Sequence, residues 1–269
     1  MPLSLDAIVA ALGLDAERIE PTRPGDDDSA GNGNWHLWTR DGEHHVLRRY
    51  HVLRSELDLA YETKVLDHLT GRGWCVPAKI AGPIRYDDRL WAVTQFVPGQ
   101  PHKEETAAQQ AERGELLARL HADLRDLELG SRPGFFQAAD LDVMGEFQSW
   151  ERGVDLLRLP QTIVHGDFAS WNVHFDDDGR LAGVIDFDLA HPDSPAWEFV
   201  IARLDLAPGL LTGYQRATTH PLNESELAAI EPLQAVLQVL MVMAGLWNGQ
   251  HGGRFDEAMI TRHLDKFGS

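Results

Sequence analysis

The sequence predicts an α+β protein with a β-rich N-terminal part and a helical C-terminal part. Three observations carry this. Residues 35–50 hold two runs of aromatic and β-branched residues, WHLWTR and EHHVLRRY, separated by an Asp-Gly pair, the signal for a β-hairpin. Residues 103–127 carry Leu117, Leu120, Leu124 and Leu127 at helical spacing. From Glu224 onward a second stripe runs through Leu227, Ile230, Leu233, Leu237, Met241 and Ala244. The change of period places a boundary near Pro98–Gly99, dividing the chain into lobes of residues 1–98 and 99–269. Clefts between two such lobes are common ligand sites.

The elements follow in order. Residues 3–20 read as a short leading helix, and PTRPGDDDSAGNGN at 21–34 is breaker-rich and reads as loop or turn. After the hairpin a helix is expected from about Ser55 to Leu69. A Pro/Gly-punctuated stretch, VPAKIAGPI, then leads into the apolar strand RLWAVTQFV, which stops at Pro98-Gly99. No internal repeat interrupts this order.

The chain has 269 residues, 43% hydrophobic and 25% charged, enough for one large domain or two packed lobes and unlike a disordered composition. No run approaches 18 apolar residues, so no transmembrane helix and no membrane partner are expected. The N-terminus lacks a basic segment before its short apolar run and does not read as a signal peptide. A single cysteine, Cys75, rules out an intrachain disulfide and fits a cytoplasmic protein. The net charge of −18 disfavours a general role on nucleic acid, which needs a basic face. An acidic surface attracts cationic small molecules, although it also simply keeps a protein soluble.

Residues 163–188, IVHGDFASWNVHFDDDGRLAGVIDFD, concentrate six aspartates, two histidines and one asparagine among short apolar runs. The Asp-Gly pair in DDDG lies between strand-like runs, so Asp176, Asp177 and Asp178 read as solvated turn residues. A calcium loop there lacks further ligands at the required spacing. Asp167, Asn172 and Asp186 remain, the last returned beside the first two by the hairpin. The spacing H-x-D-x-x-x-x-N followed by a strand-end Asp suits phosphoryl transfer. One Asp orients the attacking hydroxyl and accepts its proton, while Asn and the second Asp hold the Mg²⁺ that bridges the nucleotide phosphates. Mg²⁺ takes hard oxygen ligands and commonly uses only one or two carboxylates. His165 and His174 as zinc ligands is the competing reading, without a Cys/His cluster to support it.

HGDFASWNV followed by GVIDFD resembles the aminoglycoside phosphotransferase and choline kinase family, which has a bilobal protein-kinase-like fold. The likeness extends from about residue 25 to about 205. It implies ATP- and Mg²⁺-dependent transfer of a γ-phosphate to a small-molecule hydroxyl, with Asp167 as catalytic base and Asn172 and Asp186 as metal ligands. His165 would shape the loop. The family's P-x-x-D acid, thought to brace that loop, is replaced here by Glu198 in SPAWEF.

The first lobe should supply a cation for the phosphates. Leu59, Glu62, Leu66 and Leu69 share one helical face, and a carboxylate on an apolar stripe is costly unless a cation lies beside it. By the resemblance, Arg48 stands where the family has lysine, with Arg49 on the opposite strand face as the fallback. Ser29, Gly31, Asn32 and Gly33 lie where the family has its phosphate-covering loop, a weak signal on its own. The backbone from Gln95 to Val97 would meet the adenine. Candidate acceptor contacts are Asp188, Asp193, Trp197, Asp205, Glu231 and Trp247, each equally readable as surface or core, and His121 reads as a packed residue rather than a catalyst.

The acidic balance favours an aminoglycoside-like acceptor, with choline, homoserine, a sugar or a macrolide as alternatives. A nucleotide-binding pseudokinase and a metal-dependent phosphohydrolase are the readings from other classes.

Overall fold

The computed structural model describes residues 4–23, 32–132, 158–202, 207–234 and 237. Helix α1 (Leu5–Ala11) is capped by Ser4, whose Oγ accepts from the Ala7 N–H. The chain turns at Gly13, φ +82°, into strand β1 (Ala16–Pro21). The leading helix expected over 3–20 is thus only its first half. Beyond Gly13 the strand ladder wins: Ile19 pairs opposite Leu37 and packs toward α1, while Arg18 and Glu20 are exposed.

The hairpin forms as expected from β2 (Gly33–Thr39) and β3 (His44–Arg49), with Gly42 at φ +91° in its turn. Helix α2 (Glu56–Gly71) follows, its Ser55 Oγ accepting from the Asp58 N–H at 3.1 Å. Strands β4 (Lys79–Tyr86) and β5 (Arg89–Gln95) complete one antiparallel sheet in the order β1-β2-β3-β5-β4. Most of the Pro/Gly-punctuated stretch is therefore a strand, β4. It sits at the sheet edge and carries two register breaks, the positions where Pro and Gly are tolerated.

Period-two alternation sorts this sheet. Trp35, Leu37, Leu47, Trp91 and Val93 pack with Ile8 and Val9 of α1 on the outer face, with Trp35 and Trp91 stacked at 5.4 Å. Leu90 and Ala92 face the other way, with Leu59 of α2 and Tyr50. Arg48 pairs opposite Ala92 and shares that inner face.

Helix α3 (Ala107–Leu124) opens with a capping box between Thr106 and Gln109 and buries Leu117, Leu120 and Leu124. Two small two-stranded sheets carry the acidic stretch. Strand β6 (Thr162–Val164) pairs with β9 (His191–Asp193), and β7 (Val173–Phe175) pairs with β8 (Leu181–Val184). Asp176, Asp177 and Asp178 form the exposed turn between β7 and β8, with Asp176 Oδ1 accepting from the Asp178 and Arg180 N–H groups. Helices α4 (Ala196–Ala202) and α5 (Pro208–Ala217) follow, and residues 224–234 are helical. The last stripe is rotated from the expected one: Leu227 is exposed, and Glu226, Ala229, Ile230 and Leu233 are buried. Met241 and Ala244 lie outside the described residues. Among the described residues no helix is long and apolar enough to cross a membrane.

Helices α3 and α5 meet through glycine. A Cβ on Gly114 would lie 2.1 Å from the Leu210 carbonyl oxygen, and one on Gly213 would lie 1.9 Å from that of Ala111. Backbone against backbone leaves no flexible group to yield. Gly114→Val should therefore lower the urea midpoint, with a loss of unfolding free energy of about 2 kcal/mol or more, the scale of overpacking a tight core. Gly71→Ala, where a Cβ meets nothing within 4 Å, should leave the midpoint unchanged.

Candidate active site

Residues 165–172 form a loop held from three sides. From behind, the fully buried Glu198 of α4 accepts from the His165 N–H at 2.5 Å and from the Gly166 N–H at 3.3 Å. His121 Nε2 lies 3.4 Å from the same carboxylate, and its Nδ1 contacts the Tyr214 hydroxyl at 3.0 Å. Burial alone would raise the Glu198 pKa, but His121 and the loop N–H groups outweigh it and hold the carboxyl below its ordinary range. From α3, the fully buried Arg113 donates to the Phe168 carbonyl at 2.7 Å and forms a two-pronged pair with Glu105. From the side, Gly166 (φ +83°) lets the loop touch the turn at Phe187–Leu189; a Cβ there would lie 2.3 Å from the Leu189 carbonyl oxygen.

His165 has both ring nitrogens committed. Nδ1 accepts from the Asp167 N–H at 3.2 Å, and Nε2 lies 3.0 Å from the Ile185 carbonyl. Burial keeps it neutral by lowering its pKa. It is a loop-shaping residue and has no lone pair left for zinc. His174 Nδ1 contacts the Pro98 carbonyl at 3.2 Å.

Asp167, on this loop, is only partly buried. Asn172 Nδ2 donates to Asp167 Oδ2 at 3.0 Å and to its carbonyl at 2.9 Å. The Trp171 side chain also donates to the Asp167 carboxylate. Burial, then the nearby Asp186 charge, push the Asp167 carboxyl up to about 7 despite these donors. Asn172 is buried and its amide nitrogen is spent on Asp167, which leaves Oδ1 as its oxygen for a cation. Asp186 is brought alongside by the β7–β8 hairpin and by the Ile185 N–H bonding the Asn172 carbonyl at 2.9 Å. Asp186 adopts the left-handed region, φ 64°, ψ 59°, and its side chain is 42% exposed. Among the described residues no group of three or more His, Cys, Asp or Glu side chains forms a metal site by itself. Asn172 Oδ1 and the open Asp186 carboxylate match a cation that takes few protein oxygens and completes its shell from phosphate.

Across from them stands Arg48, and its partners differ from expectation. Its Nη2 lies 2.7 Å from Asp188 Oδ1 and 3.2 Å from Asp186 Oδ1, and no ion pair to Glu62 forms. The cation beside buried Glu62 is Arg132, at 3.9 Å, which also pairs with Asp58 and donates to the Ala190 carbonyl at 2.6 Å. Burial and the Asp188 charge push the Glu62 carboxyl up to about 7. Arg54 completes the network, 2.8 Å from Asp58 and donating to the Asp188 carbonyl at 2.6 Å. Strand alternation turns Arg49 to the outer face, where it lies over Trp35 at 5.5 Å and Trp91 at 5.9 Å.

Asn32 bonds the Asp188 carboxylate through Nδ2, while its Oδ1 accepts from the His51 N–H at 2.8 Å. Gly33 pairs opposite Arg49 as the first residue of β2. Ser29 and Gly31 lie outside the described residues, as do Asp205 and Trp247. Gln95 gives its N–H to the Ala78 carbonyl at 2.7 Å, so that donor is not free for a base. Val97 is buried; a Cβ on Gly183 would collide with it at 2.4 Å.

Four of the six candidate acceptor contacts fall among the described residues. Asp188 and Asp193 are buried acids, the latter bonded to the Ser194 N–H at 2.7 Å and His191 Nε2 at 3.2 Å. Trp197 is a core residue, and Glu231 is exposed on the helix at 224–234. The sequence reading missed Arg54, Asp58, Arg113, Glu105, Arg132 and the exposed Trp171. Of these, Trp171 had a signal, since it sits inside the motif next to Asn172.

A family model described as "Phosphotransferase enzyme family" matches residues 25–158 and 147–233. The chain is 31% identical over 258 residues to a homoserine kinase of Rhodospirillum rubrum, covering 83% of this chain and 78% of that protein. It is 28% identical over 279 residues to a homoserine kinase of Methylobacterium radiotolerans, covering 87% and 84%. Among solved structures, an amicoumacin kinase in complex with AMP-PNP, Ca²⁺ and Ami superposes at a TM-score of 0.72, with 16% identity over 98% of this chain and 93% of that one. The GDP complex of aminoglycoside 2′-phosphotransferase-IIIa gives a TM-score of 0.66, with 16% identity over 97% of each chain. These confirm the protein-kinase-like fold. The chain belongs to the phosphotransferase enzyme family and is a phosphotransferase acting on an alcohol group.

Proposed function

We propose that this protein is an ATP- and Mg²⁺-dependent kinase that phosphorylates the hydroxyl of a small acceptor bearing an ammonium group, homoserine being the first candidate. The observation that carries this reading is the convergence of Asp167, Asn172 and Asp186 opposite Arg48. The acidic balance alone points to an aminoglycoside, which remains the second reading. Relatives named homoserine kinases, 26–31% identical over most of the chain, move homoserine ahead.

Asn172 Oδ1 and the Asp186 carboxylate would hold the metal, which when bound neutralises charge on the phosphates. Asp167 orients the acceptor hydroxyl and takes its proton. Its raised pKa makes it a better acceptor than an ordinary carboxylate, and the Asn172 and Trp171 donors fix its orientation. Arg48 meets the nucleotide phosphates. His36, His44 and Phe96 line the inner sheet face between Arg48 and the inter-lobe segment, where a base would stack; His44 and Phe96 are 3.9 Å apart. We place the lobe boundary at Pro98–Gly99 and the protein in the cytoplasm, the latter supported by its single cysteine.

A coupled assay with ATP, Mg²⁺ and an acceptor panel tests this. Homoserine should give the highest kcat/KM, and Asp167→Asn should lower kcat by about 100-fold or more. ATP turnover that needs no acceptor would instead indicate a phosphohydrolase, and nucleotide binding without turnover a pseudokinase.

Glu198→Gln tests the loop's support separately. Its carboxyl sits lower in the folded than in the unfolded chain, so its stabilisation is present above pH 4.5 and lost as pH falls through the folded value. Thermal melts should show the variant weaker at pH 7 by about 3 kcal/mol, the scale for breaking a buried charged set, with the gap closing on acidification.

A further inference from the structure

Arg48 Nη2 sits between two carboxylates of different character. Asp186, 3.2 Å away, is open to the cleft, whereas Asp188, 2.7 Å away, is buried at 6% exposure. The same Asp188 side chain bonds Asn32 Nδ2 and lies 3.6 Å from Arg54. Asn32 is in turn clamped to the end of β3 through the His51 N–H. One carboxylate thus holds both the phosphate-facing cation and the root of the segment that enters β2. Glu62, the helix carboxylate in position for that task, is displaced: its ion pair is with Arg132 at 3.9 Å rather than with Arg48.

We propose that Asp188 is the positioning residue for nucleotide binding in this protein, holding Arg48 and Asn32 in place of the helix carboxylate Glu62. This rests on reading Arg48 as the phosphate-facing cation. Asp186 is free to exchange Arg48 for another cation because it faces water. Asp188 stays on Arg48 because leaving would strand a buried charge. Arg48 is itself largely buried, so this contact fixes its orientation.

The test compares wild type with Asp188→Asn, Glu62→Gln and Asn32→Ala. Two readouts are used: calorimetric binding of AMP-PNP with Mg²⁺, and steady-state KM values for ATP and for the acceptor. Asp188→Asn should weaken AMP-PNP binding and raise KM for ATP about tenfold, the size of one lost charge-assisted contact, with KM for acceptor within about twofold. Glu62→Gln should change nucleotide affinity by less than about threefold. Asn32→Ala should raise KM for ATP about threefold or more, and it carries the test if Asp188→Asn does not fold. The proposal is overturned if Glu62→Gln has the larger effect, if nucleotide and acceptor affinities fall together, or if the folded Asp188 and Asn32 variants bind AMP-PNP like wild type. Wild type that binds AMP-PNP without turnover refutes the kinase reading, and the order of the binding constants still decides the Asp188 proposal. Wild type that binds no nucleotide refutes both.

Discussion

Three arginines and four carboxylates meet where the inner face of the sheet touches the loops of the C-terminal region, and there Arg48 pairs with Asp188 at 2.7 Å. Arg48 comes from β3, Arg54 from the turn before α2, and Arg132 from beyond α3. Asp58 and Glu62 come from α2, and Asp186 and Asp188 from the turn after β8. Most of these groups are buried, where an unpaired charge costs several kcal/mol, so each element is confined to positions that keep the arginines beside carboxylates. The sheet, α2 and the Asp186 turn are thereby set in one register. The Asp188 carboxyl is held below its ordinary range because Arg48 and Arg54 outweigh the burial that would raise it.

That register makes the other half of the site possible. The 165–172 loop is suspended from Glu198 and Arg113 behind it and pressed against the Leu189 carbonyl in front. Both supports are buried, so the loop is stiff while Asp167 and Asp186 at its open side remain accessible to ligand. A stiff loop keeps the proton acceptor and the metal-facing oxygens at fixed spacing, which phosphoryl transfer relies on more than on covalent chemistry. The raised Asp167 pKa follows from the same burial.

The sequence disclosed what is local in the chain. Asp167, Asn172 and Asp186 fall within twenty residues, and a two-strand hairpin is enough to bring them together, so their spacing was readable. The solvated turn at Asp176–Asp178 was readable for the same reason. Which cation each acid takes was not, because the choice is made among arginines 6 to 84 positions away from one another. Glu62 was correctly expected beside a cation, but burial said nothing of whether that cation was Arg48 or Arg132. Asp193 and Trp197 looked like acceptor contacts because polar and aromatic residues near a site read alike whether they face the cleft or the core. The leading segment misled through length: a helix stop at Gly13 followed by Arg-Ile-Glu alternation is too brief to separate one long helix from a helix and an edge strand.

A double-mutant cycle on Arg48 and Asp188 tests this account most directly. Unfolding by urea would be followed for Arg48→Met, Asp188→Asn and the pair. If the ion pair sets the register, the two changes should be strongly non-additive, with a coupling of about 2 kcal/mol, and the double variant should be no less stable than the worse single one. Additivity within about 0.5 kcal/mol would show that the contact carries no energy, and the account of how the two regions are joined would be wrong.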